Sequence, residues 1–366
     1  MSTRIPTIDV ARAVAMIGVV VLNYHSYLNG SLAWDPSNPS PWERLFNPGS
    51  GVLTTRFAAV FVLVAGVGVS LMTRTSRKSN NPIQLRDDRL RLLRRGLLLY
   101  AVGYGVQWIW PGTILFYYGA LFVVAALIFS RPTNQLLIIG CAAAVAAAVL
   151  AWWRVEQSFE GNFTTWLDPT NIDTPRDLFI RTFISYTHPL FPWLLFFVVG
   201  IVLGRHIHRL DQFRQRLLLW SAGILVATYA INAYFVADGS SADHDRLIAT
   251  ILSTRPLDRG LLYSIGTLAS SLVALCLLSM IVDSIGDGPS VDVFVKAGQM
   301  SLTIYMAHIF FFNLIVHRLN WVGATGLDTA LGLSLVFYAL AIPLSAFWRT
   351  YLGRGPAEIL YRSFGG

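Results

Sequence analysis

Two histidines and one asparagine are the residues of this chain whose types suit acid–base chemistry best. Asn23 and His25 close the first long apolar run, and His308 lies well inside a later one. Histidine exchanges a proton near neutral pH, and an amide can orient it or donate to a developing oxyanion. We therefore predict His25 as the general base, Asn23 as its orienting partner and His308 as a second candidate base. Each histidine also has a purely structural alternative. His25 can lie at the membrane interface, and His308 can be a core residue that forms hydrogen bonds between helices.

The segment around His308 carries further polar side chains. Ser301, Tyr305 and His308 follow a helical spacing within 298–308, so a helix places them on one face. An ionisable side chain inside an apolar segment is costly in lipid, and its presence there favours a function.

A basic segment at 86–95 is the predicted site for an anion. It reads RDDRLRLLRR, and a helical conformation places Arg91 and Arg95 on one face, with Arg94 beside them. Clustered guanidinium groups bind phosphates through paired hydrogen bonds. The alternative is that the segment only sets the membrane topology and contacts anionic lipids.

These candidate residues must be positioned by helices that cross a membrane. Of the 366 residues, 54% are hydrophobic and 13% are charged, whereas a soluble domain carries about 25% charged residues. The apolar runs are long and do not alternate, which favours helices over a β-barrel. We predict an all-α, polytopic transmembrane bundle that forms a single domain over 1–366. About ten spans are expected, at 8–28, 53–73, 96–110, 114–130, 135–153, 189–204, 217–236, 260–283, 297–316 and 329–348.

The distribution of charge predicts the orientation of the bundle. With the N-terminus inside, about two thirds of the 28 lysines and arginines fall in inner segments, so both termini are expected in the cytoplasm. The net charge of +8 then reflects topology, and no nucleic-acid partner is expected. The alternative for the first span is a cleavable signal peptide. The outer loops at 29–52, 154–188 and 237–259 are rich in aromatic and acidic residues, and we expect that they can cap a cavity.

Other signals point away from metal chemistry. No zinc spacing or nucleotide-binding fingerprint is present, so no metal is expected. Cys141 and Cys276 both lie inside apolar runs and are expected in the core. Pro111 separates the short third and fourth spans, which predicts a tight helical hairpin there.

Four short motifs together resemble one family. Residues 4–23 carry Arg4, Asp9 and Arg12 ahead of Asn23, and this pattern resembles the opening helix of the YeiB-like bacterial membrane proteins. The sequences ILFYYG, GQMSLTIY and GRGPAEILYRS are similar to later segments of that family; they lie at 114–119, 298–305 and 353–363.

The YeiB-like proteins are similar in turn to the transmembrane acyltransferases. Those enzymes include the lysosomal heparan-α-glucosaminide N-acetyltransferase and the acyltransferase-three glycan-modifying enzymes. The resemblance implies transfer of an acyl group from cytoplasmic acyl-CoA to a glycan or lipid beyond a bacterial cytoplasmic membrane. Acetyl is the acyl group that we expect. For such an enzyme, the basic segment at 86–95 leads us to expect that Arg91, Arg94 and Arg95 hold the CoA phosphates. Asn23 carries over by its position in the opening motif, and His25 by analogy.

Two other functions stay open from the sequence. In a proton-coupled transporter or lipid-handling protein, His308 and the charges of the first span would form a path without covalent chemistry. A structural partner of an envelope assembly is the third alternative. In each case membrane lipids are expected as partners, and a homodimer is compatible with the sequence.

Overall fold

The described part of the chain is mainly helical. The computed structural model describes residues 5–28, 40–169, 172–184, 188–236, 248–323 and 326–365. Within these ranges the regular elements are helical, which confirms the predicted all-α class. The α-helices are α1 (Pro6–Leu28), α2 (Pro41–Phe46), α3 (Arg56–Met72), α4 (Arg74–Ser79), α5 (Pro82–Val106), α6 (Leu115–Ile128), α7 (Thr133–Phe159), α8 (Pro175–Phe183), α9 (Leu190–His206), α10 (Leu210–Val236), α11 (Leu261–Ile285), α12 (Pro289–Gln299), α13 (Ser301–Phe312), α14 (Leu327–Tyr351) and α15 (Pro356–Gly365).

Several of these helices are long and apolar enough to cross a membrane. Among the described residues, five helical stretches meet this test by length and composition: α1, α7, Leu190–Phe235, α11 and α14. A sixth is reached if α12 and the bent stretch Ser301–Arg318 count as one span. The shorter apolar helices α3 and α6 fall below the length limit. Nine of the ten predicted spans each overlap one helix, whereas the ninth, at 297–316, is divided by the bend between α12 and α13. The number of spans and the orientation of the termini stay predictions.

The chain divides into two units. The terminal unit comprises Met1–Phe61 and Ala274–Ser363, and the central unit comprises Val62–Val273 with the last three residues. Helices α3 and α11 each contribute to both. Each unit has its own internal packing, so the two are described separately.

The terminal unit is organised around α1. This helix packs against α12, α13 and α14, and α12 also packs against α14. A small apolar cluster of Val10, Val282 and Val291 lies beside Asp9. The closest approach is at Gly298, where an added Cβ would lie 1.8 Å from the carbonyl oxygen of Asp9. Only glycine allows the backbones of α1 and α12 to meet this closely.

A sharp bend separates α12 from α13. The two stretches meet at 75°, and the break falls at Met300. A bend of this size frees the backbone N–H groups at the start of α13. The carboxylate of Glu358 accepts two of them, at 2.8 Å from Leu302 N and 3.1 Å from Thr303 N. A distant side chain therefore supplies the cap for a helix inside the predicted ninth span.

The central unit contains the predicted helical hairpin. Helices α5 and α6 pack against each other along their lengths, on either side of a turn that includes Trp110 and Pro111. Trp110 and Phe116 are buried, and the ring of Phe116 lies edge-on to that of Tyr100. Helix α7 packs against α9 in the same unit.

The two cysteines differ in their surroundings. Cys276 is buried in α11, as predicted, whereas Cys141 is exposed on α7. The prediction for Cys141 was wrong because α7 is a long apolar helix with only one buried face, and residue 141 lies on the other.

Candidate active site

Asn23 and His308 meet in the core of the terminal unit. The Asn23 Nδ2 atom lies 3.4 Å from His308 Nε2, although 285 residues separate them in sequence. Asn23 comes from the last turns of α1, and His308 from the middle of α13. The structure therefore places the predicted orienting amide beside the second candidate base, and not beside His25.

His308 is held in one orientation by its own helix. Its side chain is 0% exposed, and its Nδ1 contacts the carbonyl oxygen of Tyr305, three residues earlier. A carbonyl only accepts, so Nδ1 is the ring nitrogen that donates a proton. This leaves Nε2 as the acceptor nitrogen, and it faces the amide of Asn23. The tautomer required of a general base follows from these two contacts.

Aromatic side chains pack around this pair. The hydroxyl of Tyr24 donates to the carbonyl of His308 at 3.0 Å, which ties α1 to α13 at this level. The Tyr24 ring lies 5.1 Å from that of Phe312 and 6.4 Å from that of Phe337. The Tyr305 ring lies 4.8 Å from the imidazole of His308. This packing fixes the imidazole and the amide relative to one another.

His25 has a different environment. It is also 0% exposed, but its Nδ1 lies 3.0 Å from the carbonyl oxygen of Phe46 and its Nε2 lies 3.3 Å from Glu43 Oε1. Both contacts come from α2, which begins with Ser40 accepting from the Glu43 backbone N–H. Because both ring nitrogens face oxygen acceptors, the arrangement suits a residue that positions α2 better than a base.

The sequence did not indicate the partners of His25. Glu43 is one of two acidic residues in the segment 29–52, and nothing in its spacing links it to a histidine 18 residues earlier. The nearest signal is the Ser40-Pro41 pair with Glu43 behind it, which is typical of a helix start.

The three predicted arginines lie on α5 of the central unit. Arg91 pairs with Asp88 at 3.0 Å, and Asp88 also accepts from the hydroxyl of Ser76 at 2.6 Å. Arg95 directs its Nη1 to the sulfur of Met72, at 2.8 Å. Arg94 is exposed. The structure therefore confirms the predicted helix, while Arg91 is already engaged by a carboxylate.

A second group of arginines in the central unit was missed by the sequence analysis. Arg77 of α4 donates to the carbonyl and the hydroxyl of Ser70, at 2.9 and 3.0 Å. The pKa of Arg77 is lowered to about 10, mainly by burial and in addition by the neighbouring cations Arg205 and Arg74. Arg74 Nη1 also lies 2.7 Å from His208 Nε2. Mutual repulsion of this kind favours a bound anion.

A cavity in the central unit has a volume of about 740 Å³. Its lining combines apolar side chains of α7 with aromatic and charged side chains from 154–188 and 237–259. The expectation that these segments cap a cavity stays a prediction. Arg154 pairs with Asp168 and lies 3.3 Å from Thr164 Oγ1. Arg259 donates to the carbonyl of Ile184 at 3.0 Å, and burial lowers its pKa. A cavity of this size accommodates a sugar or nucleotide-sized ligand.

Two family models match the chain. One is described as heparan-alpha-glucosaminide N-acetyltransferase, catalytic, and matches residues 4–234. The other is described as a protein of unknown function (DUF418) and matches residues 201–365. The first match includes Asn23, His25 and the α5 arginines, and the second includes His308. No curated protein matches the chain. The two matches confirm the resemblance drawn from the motifs at both ends of the chain.

Proposed function

The chain belongs to the family of the heparan-alpha-glucosaminide N-acetyltransferase catalytic domain, and we propose that it is a membrane-embedded acyltransferase. The donor is cytoplasmic acetyl-CoA, and the acceptor is a hydroxyl or amine of an envelope glycan or lipid beyond the membrane. The observation that carries the proposal is the buried pair of Asn23 and His308, whose side chains lie 3.4 Å apart.

His308 acts as the general base in this proposal. Its Nε2 takes the proton of the acceptor, because its Nδ1 is held by the carbonyl of Tyr305. The acceptor oxygen or nitrogen then bonds to the thioester carbon while the carbon–sulfur bond breaks. The proton held by His308 passes to the departing thiolate, so atoms and charge balance. The amide of Asn23 donates to the carbonyl oxygen as negative charge develops there.

A covalent route uses the same atoms in a different order. The acetyl group would first move from the thioester to Nε2 of His308 as the carbon–sulfur bond breaks and CoA leaves as the thiolate. The acceptor would then displace the acetyl group from Nε2, and the acceptor's proton would pass to the thiolate. A rapid quench with labelled donor and no acceptor separates the two routes. Label retained on the protein and lost in a His308→Gln variant supports the covalent route, and absence of retained label supports direct transfer.

The donor phosphates are assigned to the arginines of the central unit. Arg91, Arg94 and Arg95 were the predicted residues, and Arg94 is the exposed one of the three. The mutual proximity of Arg77 and Arg205 adds a second cationic group in the same unit. Guanidinium groups bind phosphates bidentately, which suits the phosphates of CoA. We place the chain in the bacterial cytoplasmic membrane, with both termini in the cytoplasm.

The test is a transfer assay on purified protein. The chain is incubated with radiolabelled acetyl-CoA and with envelope glycans or lipids, and binding of acetyl-CoA is measured separately by calorimetry. We expect labelled acceptor and saturable binding, with binding weakened in the Arg94→Gln, Arg95→Gln double variant. If neither labelled acceptor nor binding of acetyl-CoA is detected, the proposal of an acyltransferase is wrong. Absence of product together with proton movement in proteoliposomes would favour the transporter alternative.

A further inference from the structure

A second small cavity lies in the terminal unit, near the Asp9 end of α1. Its volume is about 100 Å³, and it is lined by Gln299, Arg349, Arg354, Glu358 and Arg362. Three of these five side chains are arginines. The cavity is roughly three times the ~30 Å³ share of one water molecule, which suits a compact polar group and excludes a whole nucleotide.

Arg349 is held in place by a chain of polar contacts. Its Nε donates to Gln299 Oε1 at 2.6 Å, and Gln299 Nε2 donates to Asp9 Oδ2 at 3.4 Å. Asp9 is in turn paired with Arg12, at 3.2 Å. Gln299 therefore fixes the Nε edge of Arg349 and separates it from the carboxylate of Asp9.

Glu358 offsets one of the three arginine charges, and its carboxylate is held by the bend between α12 and α13. One oxygen accepts from the backbone N–H groups of Leu302 and Thr303, at 2.8 and 3.1 Å. The other accepts from the hydroxyl of Thr303 at 2.5 Å. The negative charge is thus directed at a helix N-terminus, where it is stabilised.

Arg354 belongs to a defined turn between α14 and α15. The indole Nε1 of Trp348 donates to the carbonyl of Arg354 at 3.0 Å. Gly353 precedes it with φ +92°, a conformation that favours glycine, and its N–H donates to the Trp348 carbonyl at 3.0 Å. Arg362 follows on α15, one turn after Glu358. The backbone therefore brings three guanidinium-bearing residues to one cavity.

We propose that this cavity binds a phosphate group. Three guanidinium groups and one engaged carboxylate leave two positive charges in excess, and guanidinium is the side chain that best matches phosphate oxygens. The exposed positions of Arg354 and Arg362 keep the cavity open to a ligand. The phosphate is carried either by a lipid headgroup or by a soluble phosphate. The site is formed by the tail motif at 353–363, which the acyltransferase mechanism does not use.

The test compares the full chain with a double variant, Arg354→Gln and Arg362→Gln. One arm titrates inorganic phosphate into detergent-solubilised protein by calorimetry, with chloride as the reference anion. The other arm measures retention of phosphatidylglycerol against phosphatidylcholine by native mass spectrometry. The matched control is Arg318→Gln, which removes an exposed arginine of the same unit that does not line the cavity.

We expect the double variant to bind at least about tenfold more weakly in one or both arms, with Arg318→Gln unchanged. Loss confined to phosphatidylglycerol identifies a lipid headgroup, and loss confined to phosphate identifies a soluble ligand. If the double variant does not fold, the Arg354→Lys, Arg362→Lys pair replaces it; it keeps the charge but loses bidentate bonding, and weaker binding is expected. No preference of the wild-type chain for phosphate or phosphatidylglycerol would overturn the proposal, as would an equal loss in Arg318→Gln.

Discussion

The two ends of α1 use polar residues in opposite ways. At one end, Asn23 and His308 are enclosed by aromatic rings, and their hydrogen bonds run to amide and carbonyl groups. At the other end, Asp9 joins Arg12 and Gln299 in a network of charges that continues to a partly open cavity. One helix thus carries an uncharged contact at one end and, at the other, an ionic network that extends from the buried Asp9 towards a cavity.

The contrast shows which residues are free to react. A buried charge needs a fixed partner, so the carboxylate of Asp9 is held by Arg12 of its own helix and by Gln299 of α12. An uncharged imidazole needs only one fixed proton, so the other nitrogen of His308 is directed towards the Asn23 amide. We therefore use the number of hydrogen-bond acceptors around each imidazole to distinguish the two roles. One acceptor leaves a ring nitrogen for catalysis, and two acceptors indicate a positioning residue. By this criterion His25, with two acceptors, falls on the positioning side.

The largest expected effect distinguishes the two histidines. His308→Gln removes the proposed base, and we expect acetyl transfer to fall by about 10²- to 10⁴-fold, the usual contribution of general-base catalysis. His25→Gln is expected to lower the rate by less than about tenfold, since it acts through α2. The measurement is initial velocity with radiolabelled acetyl-CoA, normalised to folded protein. If His25→Gln lowers the rate of acetyl transfer more than His308→Gln does, His25 is the general base and the assignment to His308 is wrong.

The next effect concerns the contact between α1 and α12. In Gly298→Ala the new Cβ would lie 1.8 Å from the Asp9 carbonyl, so two backbones must move apart. We expect a loss of stability of about 3 kcal/mol, at the upper end for overpacking. Thermal unfolding of purified protein measures it. Gly332→Ala on α14 is the matched control, because nothing lies within 4 Å of its added Cβ; a similar loss there would contradict the assignment.

Sequence reasoning recovered the helices and the local contacts. The Asp9 and Arg12 pair, for example, follows from a spacing of three residues on one helix. The contact of Asn23 with His308 spans 285 residues, so no local spacing reveals it. For this reason Asn23 was assigned to the nearer histidine.

The bend at Met300 was also not predictable from its own segment. The stretch 297–316 contains no proline, and it reads as one continuous span. The helix breaks there with a cap from Glu358, which lies more than fifty residues later in the chain. The tail motif therefore has a structural meaning that appears only when the fold brings it to α13.

A smaller effect is expected from removing that cap. Glu358→Ala leaves the first N–H groups of α13 without their carboxylate, and we expect a loss of about 1–2 kcal/mol of stability. Asp292→Ala is the control. It removes a carboxylate from an exposed ion pair with Lys296 on α12, which contributes at most about 0.5 kcal/mol. Equal shifts in unfolding temperature for the two variants would refute the capping role.

The smallest expected effect tests the attachment of α2 to α1. Glu43→Gln removes the charge that lies 3.3 Å from His25 Nε2, while the contact of His25 Nδ1 with Phe46 remains. We expect about 1 kcal/mol of local destabilisation, seen as faster amide hydrogen exchange in α2 by less than about tenfold. Acetyl transfer should change little, because the Asn23 and His308 pair is left intact. Arg44→Gln on the exposed side of α2 serves as the control, and faster exchange there to the same degree would show that any charge change loosens α2.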